Sequence, residues 1–386
     1  MYIAILGRQP ALGIAELERV YGSDAVDFFS PYTATIKTEE LSLARLGGTL
    51  KAGRVVAELT GDWHQVSQKI LSQYETAWAN YDGKITLGIS VIGLRANPRE
   101  VQKTGITLKQ RLKKSGVSLR LIPNIEAELS SATSHHNKLG LSDNKVELLV
   151  IRGKGGKIIV AESTGAQNIT AYAKRDQERP KRDAFVGMLP PKLAQIMISL
   201  ANPRPGARIL DPFCGTGVIL QEAALQGYAV YGTDLAEKMI RFTRDNLNWL
   251  KDSHHIDFDW YVHEGDAMTT EWQQPVDAVV GELYLGQPFS APPSLSKLAE
   301  VRRNCDHIIS SFLRNIAPQL ATGTPLCVAV PAWKDANGTF THLPLIGKLS
   351  ELGYEQVALK NVSASDLLYY REDQIVAREL LVLIKT

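Results

Sequence analysis

The sequence predicts an α/β protein of two unlike halves: a Rossmann-like sheet in the carboxy-terminal half, preceded by an α+β amino-terminal half. Three observations predict it. From Ile209 to the carboxy terminus, apolar strand runs alternate with helical patterns, which argues for a parallel, doubly wound sheet. The first of those strands ends in Asp211-Pro212-Phe213-Cys214-Gly215-Thr216-Gly217, a glycine-rich turn into a helix starting near Val218. Charge divides as well: residues 1–186 carry 26 Lys and Arg against 19 Asp and Glu, a balance of +7, whereas residues 187–386 carry 17 against 22, a balance of −5. At 386 residues the chain is longer than one hydrophobic core usually serves, so two or three domains are expected.

Composition excludes several classes. A hydrophobic content of 44% suits a globular protein, and no apolar run reaches the ~18 residues that span a bilayer, so no membrane partner is expected. The segment Met1-Tyr2-Ile3-Ala4-Ile5-Leu6-Gly7-Arg8 lacks a basic leader and a small-residue cleavage site, and reads as a first strand. Cys214, Cys305 and Cys327 have neither metal-ligand nor disulfide spacing, which points to a reducing, cytoplasmic setting. The adjacent pairs His135-His136 and His254-His255 point in different directions on any regular element, so no metal site is expected.

In order along the chain, the first 60 residues read strand, helix, strand, helix, strand. Tyr2 to Leu6 is short and apolar, Ala11 to Tyr21 carries Leu12, Ile14, Leu17 and Val20 at helical spacing, and Ala34 to Ile36 and Val55 to Leu59 read as strands. A helix from Trp63 to Ala79 follows. The strand Ile85 to Ile92 then opens a second unit, with an amphipathic helix over Arg99 to Lys114 and a strand over Val117 to Ile122. A Ser-rich turn leads into a short helix through Lys138, and the strands Val146 to Arg152 and Lys157 to Ala161 flank the hairpin loop Gly153 to Gly156. Ala171 to Asp183 has no hydrophobic period and contains Pro180, so it reads as a linker or docking segment. Beyond Gly187 an apolar helix, Lys192 to Leu200, precedes the alternating half.

In an open α/β sheet a ligand lies outside the carboxyl ends of the strands. Here the glycine-rich turn matches neither GxGxxG nor GxxxxGK[ST], so phosphate-cradling readings lose support. A nucleoside cofactor fits better, because residues without Cβ let the backbone approach it. A second strand, Ala229 to Thr233, ends in Asp234, a carboxylate able to accept both hydroxyls of a ribose; Leu235 follows, placed to cover an adenine face. A third, Trp260 to Glu264, leads to Gly265-Asp266-Ala267, where Asp266 could accept from the adenine amino group. Taken singly, each such Asp is more often a helix N-cap; their order and spacing carry the reading. The fourth strand, Val276 to Val280, runs into Gly281-Glu282-Leu283-Tyr284-Leu285-Gly286. An exocyclic amine conjugated to a base ring is a poor nucleophile, so a site that alkylates it must accept its N–H hydrogens and stack an aromatic ring on the base. Glu282 supplies a carboxylate, the Leu283 carbonyl a second acceptor and Tyr284 the ring. None of the three cysteines is well placed for a thiolate-nucleophile alternative.

DPFCGTG resembles motif I of the class I methyltransferases, which bind S-adenosyl-L-methionine. RDAFVGMLPPKLAQIMISLANP followed by ILDPFCGTGVILQEA resembles more particularly the tRNA guanine-N2 methyltransferases that act at position ten. In that family a THUMP domain precedes the catalytic domain, and the stretch from Leu112 to Arg120 through Ser130-Ser131-Ala132 and His136-Asn137-Lys138-Leu139 is similar to THUMP; Tyr369 to Gln374 is also family-like. The resemblance implies a ferredoxin-like domain over 1–60, a THUMP-like RNA-binding domain over 61–165, a basic linker over 166–186 and a methyltransferase domain over 187–386. It implies cofactor binding by Asp211, Phe213, Gly215, Gly217, Asp234, Leu235, Asp266 and Ala267, and catalysis by Glu282, Leu283 and Tyr284. The family's usual Asp/Asn-Pro-Pro-Tyr/Phe is replaced by Glu282-Leu283-Tyr284, without either proline.

A tRNA partner gives the charge asymmetry a purpose. Residues 99–120 hold Arg99, Lys103, Lys109, Arg111, Lys113, Lys114 and Arg120 against the single acid Glu100, a cluster that would neutralise phosphates without reading sequence. With Lys138 and Arg175 added, these form the expected RNA-binding set. The reading is N2-methylation of a guanosine in tRNA. Methylation of an adenine N6 amine in DNA or RNA, and a tRNA-binding protein with a degenerate methyltransferase domain, stand as alternatives, and a small activating subunit is left open.

Overall fold

Hydrogen bonding in the computed structural model, which describes residues 1–183, 188–273 and 275–386, builds two separate sheets. The junction expected at 184–187 lies outside the described residues. Two compact units carry the sheets: residues 1–10, 24–44 and 49–171 form one, and residues 11–23, 45–48 and 172–386 the other. The elements are β1 Tyr2–Leu6, α1 Pro10–Tyr21, β2 Val26–Ser30, β3 Thr33–Ile36, β4 Thr49–Leu59, α2 Trp63–Ala77, β5 Lys84–Ile92, α3 Pro98–Lys114, β6 Ser118–Leu121, α4 Ser131–His136, β7 Lys145–Arg152 and β8 Ile158–Ala166. They continue as α5 Ile169–Gln177, α6 Pro191–Ala201, β9 Arg208–Asp211, α7 Val218–Leu225, β10 Ala229–Asp234, α8 Glu237–His254, β11 Trp260–Glu264, β12 Ala278–Glu282, α9 Leu295–Ile316, β13 Pro325–Lys334, β14 Phe340–Thr341, β15 Tyr354–Gln356, β16 Leu368–Tyr369 and β17 Val376–Lys385.

The first unit is one eight-stranded sheet in the order β2-β3-β1-β4-β8-β7-β5-β6. It runs straight across the expected boundary at residue 60, because β4 pairs β8 from Lys51 to Leu59. Two features of the first 60 residues differ from the sequence pattern. Leu43–Arg45 makes only one 3-10 turn where a second helix was expected, and Val26–Ser30 is a strand hairpinned to β3. Its sequence Val-Asp-Phe-Phe-Ser lacks clean alternation, so pairing partners and not local pattern make it a strand. Helix α3 joins the parallel pair β5 and β6. Its start is written locally: the Asn97 side chain accepts from the Glu100 amide at 2.9 Å, Glu100 accepts in return from the Asn97 amide at 2.9 Å, and Pro98 occupies the first turn. Val101, Thr104, Leu108 and Leu112 turn one face inward and leave the lysines outside.

The second unit is a twisted sheet ordered β11-β10-β9-β12-β13-β17-β15, with β14 against β13 and β16 against β17. Strands β9 to β13 are parallel, as expected, but the sheet is not parallel throughout: β17 is antiparallel to β13, and β15 to β17. The chain between β13 and β17 forms hairpin and 3-10 segments and no crossover helix, so it returns in the opposite sense. Apolar layers cover both faces, one built around Leu193, Ile209, Leu220 and Leu247, the other around Tyr231, Val279, Phe312 and Trp333. Order reverses between β9 and β12, which opens the crevice where a ligand site is expected.

Helix α1 packs with this second unit. Glu16, fully buried, accepts from the Gly47 and Gly48 amides at 2.8 and 2.9 Å, and Glu18 accepts from the Lys360 and Asn361 amides at 2.8 and 2.7 Å. The expected linker also holds order. Ala, Tyr, Lys and Arg sustain α5 despite their lack of an apolar period, and Asn168 accepts from the Ala171 amide at 2.9 Å near its start.

Candidate functional site

A cavity of about 480 Å³ opens at the carboxyl ends of β9, β10 and β12. The turn after β9 forms one wall. Gly215 sits at φ +52 with open space where a Cβ would lie, so the backbone there is bare toward a ligand. The turn is held from behind: Thr243 on α8 donates to the Gly215 carbonyl at 2.8 Å, and Asn246 donates to the Thr216 carbonyl at 2.8 Å. Gly217 has another task. At φ +79 it starts α7, and a Cβ there would meet Thr243 Cγ2 at 2.9 Å.

Carboxylates converge on this cavity. The Asp234 carboxylate, at the tip of β10, accepts from the Gly215 amide through Oδ2 and the Ala236 amide through Oδ1, both at 2.9 Å, so it is locked to the turn. Asp211 accepts from the Phe213 amide at 3.2 Å; burial, with Asp234 and Glu282 adding to it, pushes its carboxyl well above the usual range. Burial raises Asp234 too. Gly281 lets β12 come against β9, since a Cβ there would lie 2.9 Å from Asp211 Oδ1. Glu282 follows at the strand end, with its Oε1 ion-paired to Nε of Arg378 on β17. The Leu283 amide donates to the Ala329 carbonyl at 2.9 Å, and Tyr284 stands partly exposed at the rim.

Of the residues expected in the site, Asp211, Phe213, Gly215, Asp234, Glu282, Leu283 and Tyr284 line this one cavity. Four do not. Gly217 lies behind the turn, and Leu235 is 70% exposed beside the cavity wall. Asp266 accepts from the Met268 amide at 2.9 Å and organises the turn after β11, and Ala267 is buried beneath it. The lining also includes Asp183, Met188, Leu189 and Met239, which are not among the expected site residues although the first three lie in the family-like stretch 182–203. Asp183 is paired with Lys238 at 2.7 Å. All three cysteines are buried and free; burial pushes Cys214 and Cys327 up and Cys305 to about 11, so none is disposed to be a thiolate. No group of three His, Cys, Asp or Glu side chains among the described residues could hold a metal, and no helix among them is long and apolar enough to cross a membrane.

In the first unit, Lys84, Lys109, Lys113 and Arg120 line a concavity of about 530 Å³ between α3 and β6. Arg120 also donates to Asn137 Oδ1 at 3.3 Å, next to exposed Lys138 at φ +55. Lys114 is exposed outside the concavity. Two of the expected RNA-binding residues are committed elsewhere. Arg111 pairs with Glu75 at 2.9 Å. Arg175, in the second unit, gives Nε and Nη2 to the buried Glu222 at 2.6 and 3.1 Å and lies over the Tyr172 ring at 4.7 Å, because a buried carboxylate without a partner would be costly.

The second sheet, its switch-point cavity and its acid-tipped strands define a Rossmann-like α/β unit with a ligand site at the carboxyl ends of its strands. Comparison with known proteins agrees in kind. Residues 179–340 match the family model of an RMKL-like methyltransferase domain, and residues 61–245 match a DNA methylase model. The chain is 35% identical over 162 residues to the tRNA (guanine(10)-N2)-dimethyltransferase of Methanothermobacter thermautotrophicus, an alignment covering 42% of this chain and 44% of that one. It is 40% identical over 85 residues to the tRNA (guanine(6)-N2)-methyltransferase of Thermus thermophilus, covering 19% and 25%. The chain thus spans less than half of the length of either relative. Among solved structures, TrmN from Thermus thermophilus matches with a TM-score of 0.49 at 17% identity, over 100% of this chain and 99% of that one.

Proposed function

We propose that the protein is an S-adenosyl-L-methionine-dependent RNA methyltransferase that methylates N2 of a guanosine in tRNA. The observation that carries the reading is the acceptor lining of the cavity: the carboxyl groups of Asp183, Asp211, Asp234 and Glu282 line it, with no Lys or Arg among the described lining residues. Such a wall offers a phosphate no charged side-chain donor among the described lining residues, whereas its oxygens can accept from the hydroxyl and ammonium groups of a cationic nucleoside. Gly215, bare toward the cavity, fits the same nucleoside.

In this reading Asp234 holds the ribose hydroxyls, Asp211 faces the cationic end, and Asp266 with Leu235 borders the adenine. Bound there, the cofactor supplies an electrophilic methyl carbon on sulfur. Glu282 and the Leu283 carbonyl accept the hydrogens of the incoming amine and so aim its lone pair, Tyr284 stacks on the base, and the apolar side chains Leu189 and Met239 exclude water. Rate then comes from alignment and electrostatic stabilisation of the developing ammonium. Direct displacement at the methyl carbon is the step this arrangement of acceptors supports.

The residues 61–165 act as a THUMP-like RNA-binding unit whose Lys84, Lys109, Lys113 and Arg120 take the phosphates, with the target base brought out of its stack to reach Glu282. The enzyme works in the cytoplasm on tRNA. The match of residues 61–245 to a DNA methylase model favours one rival, methylation of an adenine amine. Incubation with labelled cofactor and either total tRNA or duplex DNA, followed by nucleoside mass spectrometry, tests both. Label in N2-methylguanosine from tRNA supports the reading, and label in N6-methyl-2′-deoxyadenosine from DNA replaces it.

A further inference from the structure

We infer that Arg378 is a positioning residue for Glu282, and that this ion pair takes the place of the backbone constraint that two prolines would give. The inference rests on the amine-methylation reading above. A glutamate at the end of a strand has three side-chain torsions, and nothing in Gly281-Glu282-Leu283-Tyr284 fixes the backbone as proline would. An acceptor that rotates freely aims nothing. The structure supplies the missing constraint from elsewhere: Nε of Arg378 binds Oε1 of Glu282, which leaves Oε2 to accept a hydrogen from the amine. Arg378 is 9% exposed, so its own position is held by the sheet around it.

Sheet geometry explains why the acid is Glu and not Asp. Glu282 lies opposite Ala329 on β13, and Ala329 lies opposite Leu380 on β17, two residues along from Arg378. Strand β13 therefore separates the two partners. Two strand spacings amount to roughly 9.5 Å, and a long acid and a long base are both needed to bridge them. Cross-strand partners share a face, and on the bridged face β13 presents Ala329 and then Pro331, short side chains that leave the path clear. An aspartate at 282 would be shorter by about 1.5 Å, one carbon–carbon bond, and would break the bridge. Charge matters as well. A carboxylate paired to a guanidinium is held in place and orients the amine as a charge-assisted hydrogen-bond acceptor.

The test is a set of variants in the full chain: Arg378→Met, Arg378→Lys, Glu282→Asp and the double variant Glu282→Asp with Arg378→Met. Cofactor Kd by titration calorimetry and kcat and KM for tRNA are measured for each, with thermal melting as the check on folding. The inference expects Arg378→Met to lower kcat at least tenfold, with cofactor Kd and the KM for tRNA within threefold of wild type. Arg378→Lys should recover part of the loss, and Glu282→Asp should lose as much as Arg378→Met although it restores the commoner acid. The double variant should lose no more than either single change. An active wild type in which Arg378→Met keeps kcat within twofold, or Glu282→Asp matches wild type, overturns this inference alone. A folded wild type that binds cofactor and methylates no nucleic acid overturns the parent reading, and this inference with it.

Discussion

Replacing Asp234 by Asn changes one oxygen for an NH2 group, and the structure fixes what that costs. Both carboxylate oxygens are in use: Oδ2 accepts from the Gly215 amide and Oδ1 from the Ala236 amide, each at 2.9 Å. An Asn satisfies one of these donors and sets its own N–H group against the other. It also removes the charge that, in the proposed site, accepts the ribose hydroxyls of a cationic nucleoside. A charge-assisted hydrogen bond contributes about 1.5–3 kcal/mol, which corresponds to a rise of about 10- to 150-fold in cofactor Kd. Calorimetric titration of S-adenosyl-L-methionine into wild type and Asp234→Asn measures it, with thermal melting to show that the second unit still folds. A variant that melts like wild type and binds within twofold of it refutes the assignment of Asp234 to the cofactor.

Three further expectations concern residues away from Asp234. Charge reversal at Lys113 and Arg120, both lining the basic concavity, should weaken tRNA binding and flatten its salt dependence by about 0.7–0.9 in log–log slope for each phosphate no longer neutralised; filter binding at several salt concentrations reads it, and an unchanged slope rejects the concavity as a phosphate site. Arg175→Ala should instead act on stability, by about 3–5 kcal/mol, because it strands the buried Glu222; normal denaturation with weakened tRNA binding would reverse that assignment. Burial raises Glu16 from 4.5 to about 7, so between those values the folded state holds the proton more tightly than the unfolded one. Its contribution is therefore complete below pH 4.5 and is lost as pH rises through about 7, a loss of up to about 3 kcal/mol. Glu16→Gln should flatten the fall in melting temperature between about pH 5 and 8 relative to wild type; parallel pH curves would show that Glu16 is not the group responsible.

Local pattern made the cavity legible and left its supports unread. Asp211, Asp234 and Glu282 stand at strand ends, and Phe213 and Gly215 in the turn after the first of these strands, and they do share one cavity. Arg378 carries no such mark. It lies 96 residues beyond Glu282 on a strand whose antiparallel insertion beside β13 is a tertiary choice, with no trace in its own sequence. By pattern, Glu16 and Glu18 are ordinary charges on an amphipathic helix. They are buried because backbone amides at 47–48 and 360–361 satisfy them, and those partners are remote in sequence. Arg175 reads as part of a basic run, and only the folded chain gives it Glu222 as a partner. The hairpin strand Val26–Ser30 escapes for a related reason: its pairing with β3, more than its composition, makes it a strand.

Methyl transfer from S-adenosyl-L-methionine to a guanosine amine stands or falls on mass spectrometry of nucleosides from tRNA incubated with the protein and cofactor. N2-methylguanosine should appear with wild type and fall at least tenfold with Glu282→Gln. Tight tRNA binding with no methylated nucleoside, or methyl found only on an adenine amine, would refute it.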